Sequence, residues 1–499
     1  MRKKWIKKSL SLLLLLAMVM MNTACSGNNK STDVPARTDP VESGDSNGGE
    51  EGKGEEPVSD EEVQLPPMTT ENIELTYANW GDDPNVGAAM ADAFMEKYPN
   101  ITVYMVNMNA FTYQDDFTVM AQSGMLPDCF MVMDEVGWTL NGWLLDITEL
   151  YDKDPDSDLV FDYIKNLGIY DGVRTMFATN SLPNIAILNK DYFDMYNEPL
   201  PSYDEWNFDK AIELAKKLTH PEEMRYGLGK ATMFNVDVLP NFADIIKSGE
   251  RGQWGYKDGD GYLFTKDWID MVELRNNLHV QGVFDVATSE EKEAALGDGG
   301  TWLPQAGYTA INLDYFWSYD ELMGSDATMV PYPFPTTKNG KIPVSSDVVG
   351  ISAQTQYPRE AYELGKWLTF SPEGWDVKIQ AYIDNDTIPD KLPNVKIPQE
   401  TKEKFYVAYK NKDGIEAIMK SIENGYDVSD SYPGWKTFQN WLDEQGYMGK
   451  ILNWAEPELA AADIADELTA KANEFYQSEV EALRDVVHDL PKYKIADHQ

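Results

Sequence analysis

The chain has 499 residues, with 42 Lys and Arg against 84 Asp and Glu, a formal charge of −42. That excess of acid excludes a nucleic-acid surface, which needs dense Lys and Arg, and it opposes direct contact with an anionic membrane. At roughly 100–200 residues per domain the length calls for two or three domains, and two cysteines cannot make a disulfide framework.

The first 25 residues read MRKKWIKKSLSLLLLLAMVMMNTAC. A basic head precedes the apolar run Leu10–Met21, which is too short to span a bilayer core, for which roughly 20 residues are needed. A basic head, a short apolar run and small residues before a break form a secretory signal. The break is Cys25, and the stretch resembles a bacterial lipoprotein signal, although Asn22 stands where leucine is usual. That resemblance implies removal of residues 1–24 and a fatty-acyl (palmitate) anchor on Cys25. Residues 25–71 are then an acidic, Ser/Gly/Pro-rich tether with too little apolar surface to offset its ordering entropy. The implied location is the outer face of the cell membrane, with the acidic tether pointing to a Gram-positive envelope. Cys129 lies in an apolar run and reads as a small buried hydrophobe.

Beyond the tether, Ile73, Leu75 and Tyr77 alternate with polar residues and predict a strand ending at Asn79-Trp80-Gly81-Asp82. A helix is expected from about Asn85 to Tyr98, where Pro99-Asn100 stops it. A second strand over Ile101–Val106, a helix over Phe111–Ser123 and a short strand over Phe130–Met133 complete a β-α-β-α-β start. This is the opening of a mostly parallel sheet, whose ligands lie beyond the carboxyl ends of the strands. Trp80, Asp82 and Asp134 stand at such ends. Further on, Phe177–Asn189 is strand-like on both sides of Pro183 and reads as a passage between domains. Strand passages near 307–312, 330–334 and 343–352, helices over 358–369 and 371–382, and a helical C-terminal third follow.

Most catalytic signatures are missing from the sequence. It contains no phosphate-binding glycine loop, no HExxH, no GxSxG, and its four histidines are far apart. Lys257-Asp258-Gly259-Asp260-Gly261 lacks the oxygen pattern of a calcium loop. Neither a cofactor nor a metal is expected. What stands out are 14 Trp and 27 Tyr in an acidic chain. Aromatic rings pack on the C–H faces of sugars while carboxylates and amides bond their hydroxyls.

Several segments, in order, resemble the extracellular solute-binding lipoproteins of carbohydrate ABC importers, the class that includes maltose-binding protein. They are Trp80-Gly81-Asp82, the run Leu126-Pro127-Asp128-Cys129-Phe130, and Gly142-Trp143-Leu144-Leu145-Asp146-Ile147. The run Leu188-Asn189-Lys190-Asp191-Tyr192-Phe193, the stretch from Gly307 to Trp317 and the stretch from Ser352 to Trp375 continue the series. Departures fall at Tyr308, Ile311, Asp314 and Trp375. The resemblance implies an α/β, periplasmic-binding-protein-like fold with an interlobe ligand cleft. The lobes are expected at 72–181 plus 344–392 and at 184–343 plus 393–499, with hinges near Ser181–Ile185 and Lys341–Ser345. It places Trp80, Asp82, Asp134 and Trp138 at the cleft from the first lobe, with Asp347 where the returning strand meets it. Trp317 and Trp435 come from the second lobe, and Tyr113, Asn180 and Trp254 are further candidates. It implies capture of a carbohydrate, an oligosaccharide if several tryptophans face the cleft, by a monomer that delivers it to permease subunits and catalyses nothing. Two alternatives stay open at this point: a secreted glycan hydrolase using paired carboxylates, and a binder of cationic or peptide solutes.

Overall fold

The computed structural model describes residues 65–498 apart from 82, 230–235, 337–339 and 452–458. The leader, Cys25, most of the tether and Asp82 therefore lie outside the described residues.

Strands β1 (Ile73–Trp80), β2 (Ile101–Met108) and β3 (Cys129–Val132) are parallel neighbours, with helices Pro84–Lys97 and Tyr113–Gln122 between them. The first helix starts where Asp83 caps it, accepting from the N–H groups of Asn85 and Val86, with Pro84 at its first turn. The second begins at Tyr113 rather than Phe111. Asn109 accepts the Phe111 N–H at 2.8 Å in a turn, which leaves the Phe111 ring exposed. Beyond a short hairpin, β4 (Ile169–Tyr170) and β5 (Val173–Arg174), the first sheet is completed by β6 (Met176–Ala178) and β12 (Val348–Ile351) in the order β2-β1-β3-β12-β6.

The second sheet contains β7 (Leu182–Asn189), β8 (Tyr226–Leu228), β9 (Thr309–Tyr315), β11 (Ile342–Ser345) and β13 (Gly425–Asp427) in the order β13-β11-β7-β9-β8, with β10 (Met329–Pro333) also paired to β7. Both sheets are mixed rather than mostly parallel. The returning strand β12 runs antiparallel to β3 and β6, and β7 runs antiparallel to β9, β10 and β11. Each sheet has its own hydrophobic core. The two lobes are thus separate packing units joined by chain crossings.

The chain crosses between sheets at 179–181, between β6 and β7, and at 346–347, between β11 and β12. These crossings sit a few residues away from the passages expected from sequence. Pro183 does not interrupt its strand but pairs with Val344 inside the second sheet. A third connection is tied to the first two. Ser181 exchanges backbone bonds with Leu392 at 2.8 and 3.1 Å, and Asn394 Nδ2 donates to the Ala178 carbonyl at 2.6 Å.

The terminal helix Ala461–Val486 makes a fourth crossing that sequence placed wholly in the second lobe. Ile464, Ala465, Leu468 and Ala472 belong to the second core, whereas Leu483, Val487, Leu490, Tyr493 and Ile495 belong to the first. The tail is held by the Asp146 N–H, which donates to the Pro491 carbonyl at 2.8 Å. At the other end of the described chain, residues 65–71 already rest on the first lobe. Arg359 Nε donates to the Pro66 carbonyl at 3.0 Å, and the Thr69 N–H donates to Glu360 at 2.6 Å.

Candidate functional site: the interlobe cleft

Candidate ligand groups stand at the carboxyl ends of β1 and β3 in the first lobe and of β9 and β13 in the second. Trp80 closes β1, half-buried, with its ring edge-on to Tyr113 at 4.7 Å. Just inside it, Asn79 is fully buried and neither side-chain polar atom has a partner. β3 passes directly into a helix, Glu135–Leu140, which sequence did not anticipate. Asp134 caps it, accepting the Gly137 N–H at 3.1 Å. Trp317, just past β9, is half-buried and stacks on Tyr315 with centroids 4.2 Å apart and rings within 12° of parallel.

The loop after β13 comes back against the first lobe. Lys436 Nζ donates to the Met133 carbonyl at 3.0 Å, and the Tyr170 hydroxyl donates to the Ser431 carbonyl at 3.0 Å. Asp430 accepts the Trp435 indole N–H at 2.9 Å. A cavity of about 430 Å³ lies in this region, with Asp134 and Val136 on one side and Asp430, Tyr432 and Lys436 on the other. Its electrostatics are unusual. Burial, and then repulsion from Asp430, push the Glu135 carboxyl up to about 8, outweighing the nearby Lys436 ammonium. Burial also raises Asp430, against the Trp435 hydrogen bond and Lys436.

Three further polar groups near the strand ends lack partners. Besides Asn79, these are Thr179 Oγ1, Asn184 Oδ1 and Ser431 Oγ, all on buried residues. A buried polar atom left unpaired costs about 1–3 kcal/mol. None of these residues, nor Glu135, Asp430, Tyr432 or Lys436, was singled out from sequence. Glu135 alone carried a usable signal, since it follows Asp134 at the end of a buried strand.

Of the residues expected at the cleft, Trp80, Asp134 and Trp317 occupy the strand ends. Asn180 and Asp347 lie in the hinge and bond each other: Asn180 Nδ2 donates to Asp347 Oδ2 at 3.0 Å, and the Asp347 N–H donates back to Asn180 Oδ1 at 3.4 Å. Four expectations are corrected. Tyr113 is fully buried and its hydroxyl donates to the Met131 carbonyl at 2.8 Å. Trp138 is fully buried and stacks on Phe117 at 4.2 Å. Trp254 is buried against Phe264, Trp268 and Trp435, and the Trp435 ring is itself wholly inside that second-lobe cluster. In each case the ring fills a lobe core and leaves no face for a solute. Among the described residues, no group of three or more His, Cys, Asp or Glu is posed to hold a metal ion.

Comparison with known proteins agrees with this architecture. Residues 80–375 match the family described as bacterial extracellular solute-binding proteins. The fold resembles an ABC substrate-binding protein from Listeria monocytogenes solved with cycloalternan (18% identity, TM-score 0.61, covering 81% of this chain and 100% of that one). It also resembles a sugar transporter protein from Rhizobium etli in an open conformation (17%, TM-score 0.62, 80% and 99%). A third similar structure is the maltose/maltodextrin-binding domain from Bdellovibrio bacteriovorus bound to maltotriose (19%, TM-score 0.56, 80% and 99%). Over 136 residues the sequence is also 30% identical to the fiber protein of human adenovirus B serotype 3; that stretch is 26% of this chain and 42% of that protein. The match over residues 80–375, on a two-lobe frame with its polar and aromatic groups gathered at the interlobe strand ends, makes this chain a member of the bacterial extracellular solute-binding proteins.

Proposed function

We propose that the chain captures a carbohydrate, specifically an oligosaccharide, between its lobes and delivers it to the permease subunits of an ABC importer. The observation that carries this reading is the pairing, at opposing strand ends, of aromatic faces with unpaired buried hydrogen-bonding groups. Trp80 and the Tyr315–Trp317 pair offer apolar faces from different lobes. Asn79, Asn184 and Thr179 offer polar atoms without protein partners. Sugar rings present both kinds of surface at once. The similar structures solved with cycloalternan and maltotriose support the same class of solute. Among the described residues expected at the cleft, Trp80 and Trp317 are the tryptophans left half-buried, which favours a short chain of sugar rings over a long one.

In this reading Trp80, Trp317, Asp134 and Asp82 contact the solute, and the Asn180–Asp347 pair acts through the hinge. Solute binding shifts the population of open and closed lobes. Cys25 carries the lipid that holds the protein, as a monomer, at the outer face of the membrane, and the acidic tether sets its reach.

The test is calorimetric titration of the full chain against a panel of oligosaccharides, with recovery of the sugar afterwards. One saturable interaction, unchanged sugar, and at least about tenfold weaker binding in Trp317→Ala are expected. Shorter products would instead identify a glycan hydrolase. Silence across the panel from a folded sample would turn attention to cationic or peptide solutes.

A further inference from the structure

A second cavity, of about 680 Å³, shares Tyr432 with the first. Its walls come from the 163–171 segment of the first lobe, from Tyr256, Asp258 and the 425–433 segment of the second, and from the terminal helix at Tyr476 and Arg484. Six of its lining residues are tyrosines: Tyr163, Tyr170, Tyr256, Tyr426, Tyr432 and Tyr476. Tyr256 stacks on Tyr432 at 4.0 Å and meets Tyr476 edge-on at 6.0 Å, so the rings support one another. Burial raises the phenol of every one of the six, which keeps them neutral.

The charge on the walls is one-sided. Asp171, Asp258 and Asp427 line the cavity against the single guanidinium of Arg484. Arg484 lies 4.0 Å from Asp171, which also meets His488 Nε2 at 2.9 Å, so that cation is already answered. Among the described residues, Asp258 and Asp427 have no ion-pair partner. The buried Ser431 also lines the cavity, and its Oγ has no hydrogen-bond partner. One wall tyrosine already attracts a cation of the protein, since Lys341 Nζ sits 4.9 Å from the Tyr426 ring centroid.

We propose that this tyrosine-lined cavity is a second ligand site, built from groups other than Trp80 and Trp317, and that it takes an organic cation of the quaternary or alkylated ammonium class. The volume falls within the range of small-molecule sites, about 300–1,000 Å³. Phenol faces attract a diffuse cation and pack on its methyl groups, each such contact contributing about 0.5–2 kcal/mol in general. The exposed Asp258 carboxylate adds long-range attraction, while the half-buried Asp427 carboxylate already accepts from the Ser429 N–H and hydroxyl at 2.9 and 2.6 Å, and Ser431 can bond a hydroxyl or amide on the same ligand. A strongly hydrated small ion gains little from six aromatic walls, and an anion meets uncompensated carboxylates. Because both lobes and the terminal helix supply the walls, occupancy here and the arrangement of the lobes bias one another.

The experiment is calorimetric titration of the full chain with choline chloride and with tetramethylammonium chloride, at low ionic strength and against matched sodium chloride. Saturable binding is expected. It weakens at least about fivefold in Tyr476→Leu and in Asp258→Asn, the latter altering only an exposed side chain, and it is unchanged in Trp317→Ala. No saturation below about 10 mM overturns the proposal. So does binding lost in Trp317→Ala but kept in the other two variants, which assigns the cation to the cleft. Displacement of the cation by a neutral monosaccharide such as glucose also overturns it, by making the cavity a sugar site. Carbohydrate affinity plays no part in this titration, so either proposal can fail without the other.

Discussion

Glu135 is buried beside Asp430, and its carboxyl titrates near 8 in the folded chain against 4.5 ordinarily. Between those values the folded state keeps a proton that the unfolded chain has lost. Stability should therefore fall as pH rises from about 4.5 to about 8 and level off outside that window, by at most a few kcal/mol. Urea unfolding at pH 5 and pH 8 measures the slope, and Glu135→Gln should flatten it; an equal slope in that variant assigns the effect to other groups. Cys129 is the opposite kind of residue. It is wholly buried, burial raises its thiol well above the ordinary value, and among the described residues it is a free cysteine. It should stay inert to a thiol reagent in the native protein and react only after unfolding. Fast native labelling would show that the first-lobe core opens locally.

At the level of elements, Trp138 shows why position in sequence and position in space diverge. It lies on the Glu135–Leu140 helix that begins at the cleft, yet it points away from it, between Phe117 and Trp143. Trp138→Ala should cost about 3–5 kcal/mol by leaving a large cavity. Thermal unfolding should show the loss, while solute affinity measured well below the transition is kept. Similar binding to wild type would confirm a packing role; selective loss of binding in a fully stable variant would return Trp138 to the cleft. The sheet strands themselves were easier to read. Ile73, Leu75 and Tyr77 on β1 follow the pleat, and all three are buried. The short helix after β3 was missed because six residues carry too little periodicity to separate from a loop.

For the molecule as a whole, the terminal helix changes how the lobes are coupled. Its tail places Val487, Leu490, Tyr493 and Ile495 in the first core, remote in sequence from everything else there except β12 and its flanking helices. Deleting residues 487–499 should destabilise the first lobe by at least about 4 kcal/mol, taking roughly 1.5–3 kcal/mol per buried apolar side chain and discounting for compact unfolded chains. Urea unfolding should then separate into two transitions, with the second lobe's midpoint little changed. A single transition, merely shifted, would mean that the lobes fold as one unit without the tail.

The sequence by itself determined the two-lobe α/β class, the opening β-α-β-α-β order and the residues at two strand ends, Trp80 and Trp317. Alternation, capping residues and segment order are local properties, and local properties are written in neighbouring letters. Only the tertiary structure decided which tryptophans are core and which are cleft. An indole buried in a lobe and one facing a solute obey the same apolar spacing, and Trp254 and Trp435 differ from Trp317 only in what packs over them. The same holds for the hinge pair Asn180–Asp347, for the acidic contact of Glu135 with Asp430 and for the tyrosine-lined cavity. Each brings together residues more than 150 apart in the chain, such as Tyr163 and Tyr426 in the cavity, and no periodicity links residues so distant until the lobes fold and meet.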